Sequence, residues 1–337
     1  MERRTSVLLL PGQGAQRERM AAGLYGVEEE FTASMDRFFD RLGGAGTGLR
    51  SAWLRPAPNP ELDTAAVAQP LLLAVGHALG RAVDAGAGPP GLLLGHSVGE
   101  LAAACLAGVF DPADVGALAA ARSRALQDTG HGGMLAVAAS VGDLPERLGP
   151  DVAVAAVNGP RQTVLAGPGE ALAATELRLR EAGFVVRAVR SGHAFHSPVM
   201  AEAARKFGTA LAVLAPRAPR PGRTVVSSGT GTEVTAAQAA DPYFWAGQLA
   251  RTVRYWPALR ELLDTRGREP GLLLLDASAD RSLSAPARRH PAVRDGASEV
   301  VPLLAGGRDL GGPADATVFA GALRRLTGQR RGHTAVS

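Results

Sequence analysis

The run Gly95-His96-Ser97-Val98-Gly99 constrains this chain more than any other stretch. It follows the apolar residues 92–94 and precedes an Ala-rich segment reaching about Leu106. Strand, tight turn and helix in immediate succession predict an α/β domain. The five residues fit G-x-S-x-G, a strand-to-helix turn that lifts a serine oxygen into a cleft. The turn leaves no space for neighbouring Cβ atoms, hence the flanking glycines. The helix that follows aims free N–H groups at the serine, where developing negative charge is favoured. Ser97 is therefore a candidate nucleophile; the plain alternative is a chance Gly-rich turn.

Apolar periodicity and turn residues organise the rest of the chain. Residues 7–10 form a short buried strand that breaks at Pro11-Gly12. Helical spacing covers 17–42, a Gly- and Pro-rich loop 43–60, and an apolar helix 69–83. Asp111-Pro112 opens a further helix to about Gln127, with Asp as N-cap and Pro in the first turn. From Gly132 the period changes: strand 134–139, short helix 142–148, strands 152–157 and 163–166, helix 170–182, strand 184–189. That β-α-β-β-α-β order is the ferredoxin-like pattern. After it come helix 198–214, strand 223–227, helices opening at Asp241 and Val253, and strand 272–275. The expected architecture is a large α/β-hydrolase-like domain, residues 1–128 and 193–327. A small ferredoxin-like subdomain is inserted at 129–192, and a flexible tail occupies 328–337.

Composition narrows the function classes. Aromatics are only 4%, so the core must be built from Ala, Leu and Val. The single cysteine, Cys105, excludes an intrachain disulfide and a Cys-based metal site. The net charge of +4 fits a solvated surface or an acidic partner. The arginines are scattered without interleaved aromatics, which speaks against nucleic acid; the cluster Arg324, Arg325, Arg330 and Arg331 reads as a solvated end. No stretch approaches the length of a membrane span, and the apolar start is too short for a signal peptide. The expectation is a cytosolic protein with no membrane partner.

A serine nucleophile needs a base. His96 adjoins Ser97, so its ring points away from the serine oxygen or lines the cleft. His77 lies in an apolar helix and reads as a satisfied core residue, whereas His131, His290 and His333 fall in loops or the tail. His193 and His196 occur together in Gly192-His-Ala-Phe-His-Ser-Pro198, where the small subdomain returns to the large domain. Clefts form at such junctions, and spacing alone does not choose between these two histidines. The loop Gly12-Gln13-Gly14-Ala15-Gln16 lets its backbone approach a ligand, a weak signal for an oxyanion hole. His131-Gly132-Gly133 follows the serine rather than preceding it, so it reads as a boundary turn. Arg122, taken alone, reads as one more surface arginine.

Taken together the motifs resemble one family: the malonyl-CoA:acyl-carrier-protein transacylases and the acyltransferase domains of polyketide and fatty acid synthases. The matching stretches are Pro11-Gly-Gln-Gly-Ala-Gln16, Gln69-Pro70, Gly95-His-Ser-Val-Gly-Glu100, Arg122-Ser-Arg124, Gly132-Gly-Met134, Ala156-Val-Asn-Gly-Pro160, His193-Ala-Phe-His-Ser-Pro198 and 241–255. They stand in family order over about residues 5–310. His193-Ala-Phe-His196 is a polyketide form of its motif.

The resemblance implies roles. Ser97 is the nucleophile and His196 the base, oriented by the main-chain carbonyl of Gln248 rather than by a carboxylate. The backbone amides of Gln13 and Val98 form the oxyanion hole. Arg122, 25 positions after Ser97, binds the free carboxylate of a malonyl-type unit, with His96 and Gln69 lining that pocket. Phe195, beside His193, fills the space a 2-methyl group needs, which favours malonyl over methylmalonyl. The implied reaction is ping-pong transfer from CoA to the phosphopantetheine thiol of an acidic acyl carrier protein, with no metal or resident cofactor, in polyketide biosynthesis. A discrete enzyme acting in trans is expected.

Two departures bear on the substrate. Asp276-Ala-Ser278 stands where the family has Glu-x-Gly-Pro, and Ser228 where it has Asn. Alternatives are a shuttle of aminoacyl or peptidyl groups between carrier proteins, an editing thioesterase, and a non-catalytic docking protein. An unrelated α/β-hydrolase is disfavoured, because that class has no such inserted domain.

Overall fold

The computed structural model describes residues 4–127, 129–189 and 191–331. The strands are β1 (Thr5–Leu10), β2 (Leu92–Gly95), β3 (Gly132–Val137), β4 (Ala153–Gly159), β5 (Gln162–Pro168), β6 (Val186–Val189), β7 (Thr224–Ser227), β8 (Leu272–Asp276) and β9 (Glu299–Pro302). The helices are α1 (Glu29–Leu42), α2 (Gly44–Leu54), α3 (Ala65–Ala87), α4 (Gly99–Ala107), α5 (Val115–Leu126), α6 (Gly169–Glu181), α7 (Ala201–Ala212), α8 (Ala236–Ala240), α9 (Pro242–Ala246), α10 (Tyr255–Arg266), α11 (Pro291–Arg294) and α12 (Ala314–Arg331).

A five-stranded parallel sheet runs in the order β7-β2-β1-β8-β9. Its strands are apolar at successive positions because both faces are covered. Leu8, Leu10, Leu93, Leu273 and Leu275 enter the core beneath α1, α3, α4 and α5. Val7, Leu9, Leu92, Leu94, Leu272 and Leu274 enter the opposite one, beneath α10. Each such burial contributes about 1.5–3 kcal/mol.

A four-stranded antiparallel sheet follows the order β4-β5-β3-β6, the ferredoxin-like arrangement. One face packs on α6 through Leu135, Val137, Leu165, Leu172 and Leu179. The other contributes Ala155, Ala156, Val164 and Ala166 to the core shared with α10 and the large sheet. The two sheets therefore meet across packed side chains, at the end of β2 where Ser97 lies.

Several expected elements differ. The helix expected over 17–42 begins only at Glu29. Arg19, Ala21 and Gly26 have positive φ, so 17–28 turns repeatedly; Met20 is buried outside any helix and Leu24 at the end of a single 3₁₀ turn, Ala22–Leu24. The loop expected over 43–60 contains α2. Its glycines serve close approach: a Cβ on Gly46 would stand 1.9 Å from the Phe39 carbonyl oxygen. Trp53 anchors that helix in the core and donates its indole N–H to the Met20 carbonyl at 2.8 Å.

The helix expected over 142–148 shrinks to one 3₁₀ turn, Val141–Asp143, held by a Ser140–Asp143 capping box. Pro145 and Pro150 oppose its continuation. At 23 residues, α3 is long and apolar enough to cross a membrane by length and composition, contrary to expectation; it is a core helix, mostly buried. β9, α8, α11 and α12 carry no expectation from the sequence. Of the tail at 328–337, residues 328–331 complete α12 and the rest lies outside the described residues. Arg325, read as part of a solvated end, pairs with Glu299 of β9 at 2.5 Å.

Candidate active site

The turn after β2 is as tight as its sequence requires. A Cβ on Gly95 would lie 2.3 Å from the Glu100 nitrogen, and one on Gly99 2.3 Å from the Leu10 oxygen. Ser97 itself sits at φ +52°, a strained conformation for a residue with a side chain. The loop after β1 packs against it: a Cβ on Gly12 would stand 3.1 Å from the Ser97 Cβ. The backbone N–H groups of Gln13 and Val98 donate to nothing among the described residues. Val98 immediately precedes α4, so its amide belongs to the electropositive end of that helix.

His196 is the histidine brought to Ser97, with Nε2 2.8 Å from the serine Oγ. Its Nδ1–H faces the carbonyls of Gln248 at 2.7 Å and Arg251 at 3.1 Å. Two acceptors at Nδ1 fix the proton there and leave the Nε2 lone pair for the serine. The backbone is pinned as well: the His196 N–H donates to Leu249 at 2.8 Å, and the residue has φ +62°. Burial, with His96 and Arg122 nearby, pulls its pKa from 6.5 to about 3, so the ring is neutral. His193, the other candidate, is turned to Thr129, Nδ1 to Oγ1 at 2.8 Å.

His96 lines the junction between the sheets. Its Nε2 bonds the Asn158 Oδ1 of β4 at 2.8 Å, and its ring lies 5.6 Å from that of Tyr255. Asn158 stands in the family-matching stretch Ala156-Val-Asn-Gly-Pro160, to which the sequence assigned no role. Its role as a bridge depends on β4 pairing beside the cleft.

Arg122 is not a surface residue, as its residue type alone implied; it is 2% exposed. Nε donates to Gln69 Oε1 at 2.6 Å, and Gln69 Nε2 donates to Gln13 Oε1 at 2.8 Å. The Arg122 Nη1 and Nη2 atoms are buried with no hydrogen-bond partner among the described residues, while its carbon Cζ lies 5.8 Å from the centre of the Phe207 ring. Burial without a counter-charge lowers its pKa to about 9, so it remains charged at neutral pH. A planar fork with unused donors suits a carboxylate.

Phe195 is buried, 5.1 Å ring to ring from His193 and 6.4 Å from His196. The remaining histidines lie apart. His77 is buried in α3 but is not satisfied: Nε2 has no partner, and burial takes its pKa to about 3. His290 caps α11 and bonds Asp264 at 3.0 Å, and Gly132, read as a boundary turn beside His131, opens β3. His333 lies outside the described residues.

Both departures from the family pattern are internally bonded. Ser227 and Ser228 donate to the buried Glu100 carboxylate at 3.0 and 2.9 Å, and Gly229 N–H at 3.2 Å. Burial raises the Glu100 pKa, which these bonds oppose. Asp276 accepts from Ser278 N–H at 2.8 Å and Oγ–H at 2.5 Å, and from Ser284 N–H at 3.2 Å. Arg17 bonds Asp280 at 2.7 Å, tying the loop after β1 to this segment.

Residues 7–270 match the family described as "Acyl transferase domain". A phenolphthiocerol/phthiocerol polyketide synthase protein of Mycobacterium tuberculosis is 35% identical over 290 residues, 85% of this chain and 19% of that protein. Polyketide synthase GfsB of Streptomyces halstedii is 37% identical over 261 residues, 76% of this chain and 5% of that one. The chain thus spans about a fifth or less of these curated relatives. Among solved structures, the acyltransferase domain from the second module of the salinomycin polyketide synthase superposes with a TM-score of 0.78 at 31% identity, covering 100% of this chain and 79% of that one. The malonyl CoA-acyl carrier protein transacylase of Coxiella burnetii shares the fold, with a TM-score of 0.78 at 23% identity, covering 96% of this chain and 98% of that one.

Proposed function

The chain belongs to the acyl transferase domain family, and from that premise we propose that it moves a malonyl unit from CoA to the phosphopantetheine thiol of an acyl carrier protein. The observation that carries the malonyl reading is the Arg122 guanidinium. Its two terminal nitrogens are buried without partners, and it is close enough to His196 to depress that ring's pKa. A carboxylate on the acyl group would supply both the missing charge and the missing acceptors.

The proposed cycle has two halves. Ser97 Oγ attacks the thioester carbonyl while His196 Nε2 takes its proton. The tetrahedral oxyanion is held by the Gln13 and Val98 N–H groups. The C–S bond breaks, and the proton passes from His196 to the departing CoA sulfur. In the second half the carrier thiol gives its proton to His196 and attacks the Ser97 ester, and Ser97 recovers the proton. No carboxylate is needed beside the imidazole, because the Gln248 carbonyl holds the correct tautomer. The positive net charge, +4, suits an acidic carrier.

The test is intact-mass measurement after incubation with malonyl-, methylmalonyl- and acetyl-CoA. A malonyl adduct that is absent in Ser97→Ala is expected. Absence of any adduct in the wild type would overturn the CoA-dependent reading and direct attention to a carrier-bound donor.

A further inference from the structure

Arginine carries five N–H donors and no acceptor. That fact gives direction to the chain of side chains running from Arg122. Nε can only donate, so the oxygen of Gln69 must face it, as it does at 2.6 Å. The Gln69 NH₂ group therefore faces Gln13 and bonds its oxygen at 2.8 Å. Gln13 in turn must present its own NH₂ away from Gln69. The orientation of a carboxamide is ordinarily a free choice between two flips. Here a flip of either glutamine would set donor against donor, and the guanidinium removes the choice.

The chain ends in an unused donor, since Gln13 Nε2 is buried and has no partner among the described residues. Gln13 directly follows Gly12, which packs against Ser97, and its backbone N–H is unused as well. Arg122 Nη1, Arg122 Nη2 and Gln13 Nε2 are thus three buried donors at the two ends of one side-chain series joined through Gln69. An ionised carboxylate offers about four lone-pair sites. A bidentate guanidinium occupies two of them, and in a site closed to water the others need further donors.

We infer that the Gln13 side chain is a specificity-determining donor: its Nε2–H binds an oxygen of the carboxylate-bearing acyl group, and Gln69 is the positioning residue that transmits the direction set by Arg122. This rests on the malonyl reading above. It assigns the side chain of Gln13 a task separate from that of its backbone amide.

The experiment compares wild type, Gln13→Met, Gln13→Glu, Arg122→Ala and the double variant Gln13→Met/Arg122→Ala, all of which keep the backbone N–H at position 13. The initial rate of Ser97 acylation is read by intact mass over a range of malonyl-CoA and acetyl-CoA concentrations. Gln13→Met should lower kcat/KM for malonyl-CoA relative to acetyl-CoA roughly 10-fold, the loss of one bond to a charged group. Gln13→Glu still accepts from Gln69 but sets a carboxylate oxygen where the NH₂ stood. It should depress the malonyl-to-acetyl ratio further, by roughly 100-fold.

In the double variant malonyl loading should match Arg122→Ala, because Gln13 loses its fixed orientation with the guanidinium. Equal losses for both donors would show a structural or oxyanion role and overturn the inference, as would malonyl loading unaltered by Gln13→Met. If Gln13→Met lacks a cooperative thermal transition, the near-isosteric Gln13→Glu decides by the same malonyl-to-acetyl ratio. A wild type that takes acetyl but no malonyl would overturn the malonyl reading itself, and this inference with it.

Discussion

His196 and the side-chain series Arg122–Gln69–Gln13 differ in how much of their own hydrogen-bonding capacity they already use. His196 has both ring nitrogens bonded, to Ser97 and to the Gln248 and Arg251 carbonyls, and its main chain is fixed to Leu249, although the Gln248 side-chain amide has no partner among the described residues. Arg122 and Gln13 hold donors that are buried and unused among the described residues. The imidazole is set before any substrate arrives, so little reorganisation is required when charge develops. A ligand would complete the Arg122 series. Preorganisation suits groups that move protons; unsatisfied donors suit groups that must select an acyl unit, because a ligand lacking the matching acceptor leaves them desolvated and unpaired.

The contrast can be broken from either side. Ser97→Ala should remove the covalent adduct entirely, as seen by intact mass. His196→Ala, which removes the preorganised base, should slow acylation roughly 10²- to 10⁴-fold for malonyl and acetyl alike. Arg122→Ala should lower malonyl loading by roughly 100-fold while sparing acetyl, since it removes only the charged acceptor's partner. Equal losses for both donors would place Arg122 with the catalytic machinery instead. Phe195→Ser should shift the malonyl-to-methylmalonyl ratio by roughly tenfold, the scale of one methyl group in a pocket. Competition between the two CoA esters measures it.

The smallest effect on activity is expected at His77. Its Nε2 is also buried and partnerless, but it lies in the core of α3. There an unused polar atom only weakens the fold. In the native protein its pKa is near 3, against an ordinary 6.5. Below pH 6.5 the unfolded chain takes up this proton and the native one does not, so its contribution falls with acid until about pH 3. Wild type should therefore lose about 1.4 kcal/mol per pH unit relative to His77→Leu in that window, with acylation unchanged. Denaturant melts of both proteins at several pH values check this.

Much of this was legible in the residues. The strands β1, β2 and β8 are short apolar runs ended by Gly, Pro or Asp, and their assignment stands. Residues 43–60 were not legible, because a glycine that permits close packing, as Gly46 does against Phe39, has the same letter as one that permits a turn. Met20 and Leu24 gave residues 17–28 a helical spacing, but the left-handed backbone at Arg19, Ala21 and Gly26 breaks it. At the site, the elbow around Ser97 was readable from local rules alone. Asn158, Arg251 and Glu100 were not assigned roles, since each acts on a residue distant in the chain.

Residue type and spacing fix the local geometry: where a strand must stop, where only glycine fits, and which serine is lifted into a cleft. These follow from sterics within a few residues. Type and spacing left His193 and His196 equal, and Arg122 indistinguishable from the other arginines of the chain; only the family resemblance separated them. The packed chain supplies the physical reason. It set the His196 ring against Ser97, 99 positions away, and buried Arg122 behind Gln69, 53 positions away. Burial changes what a charged or polar group requires, and burial is a property of the packed chain rather than of any segment of it.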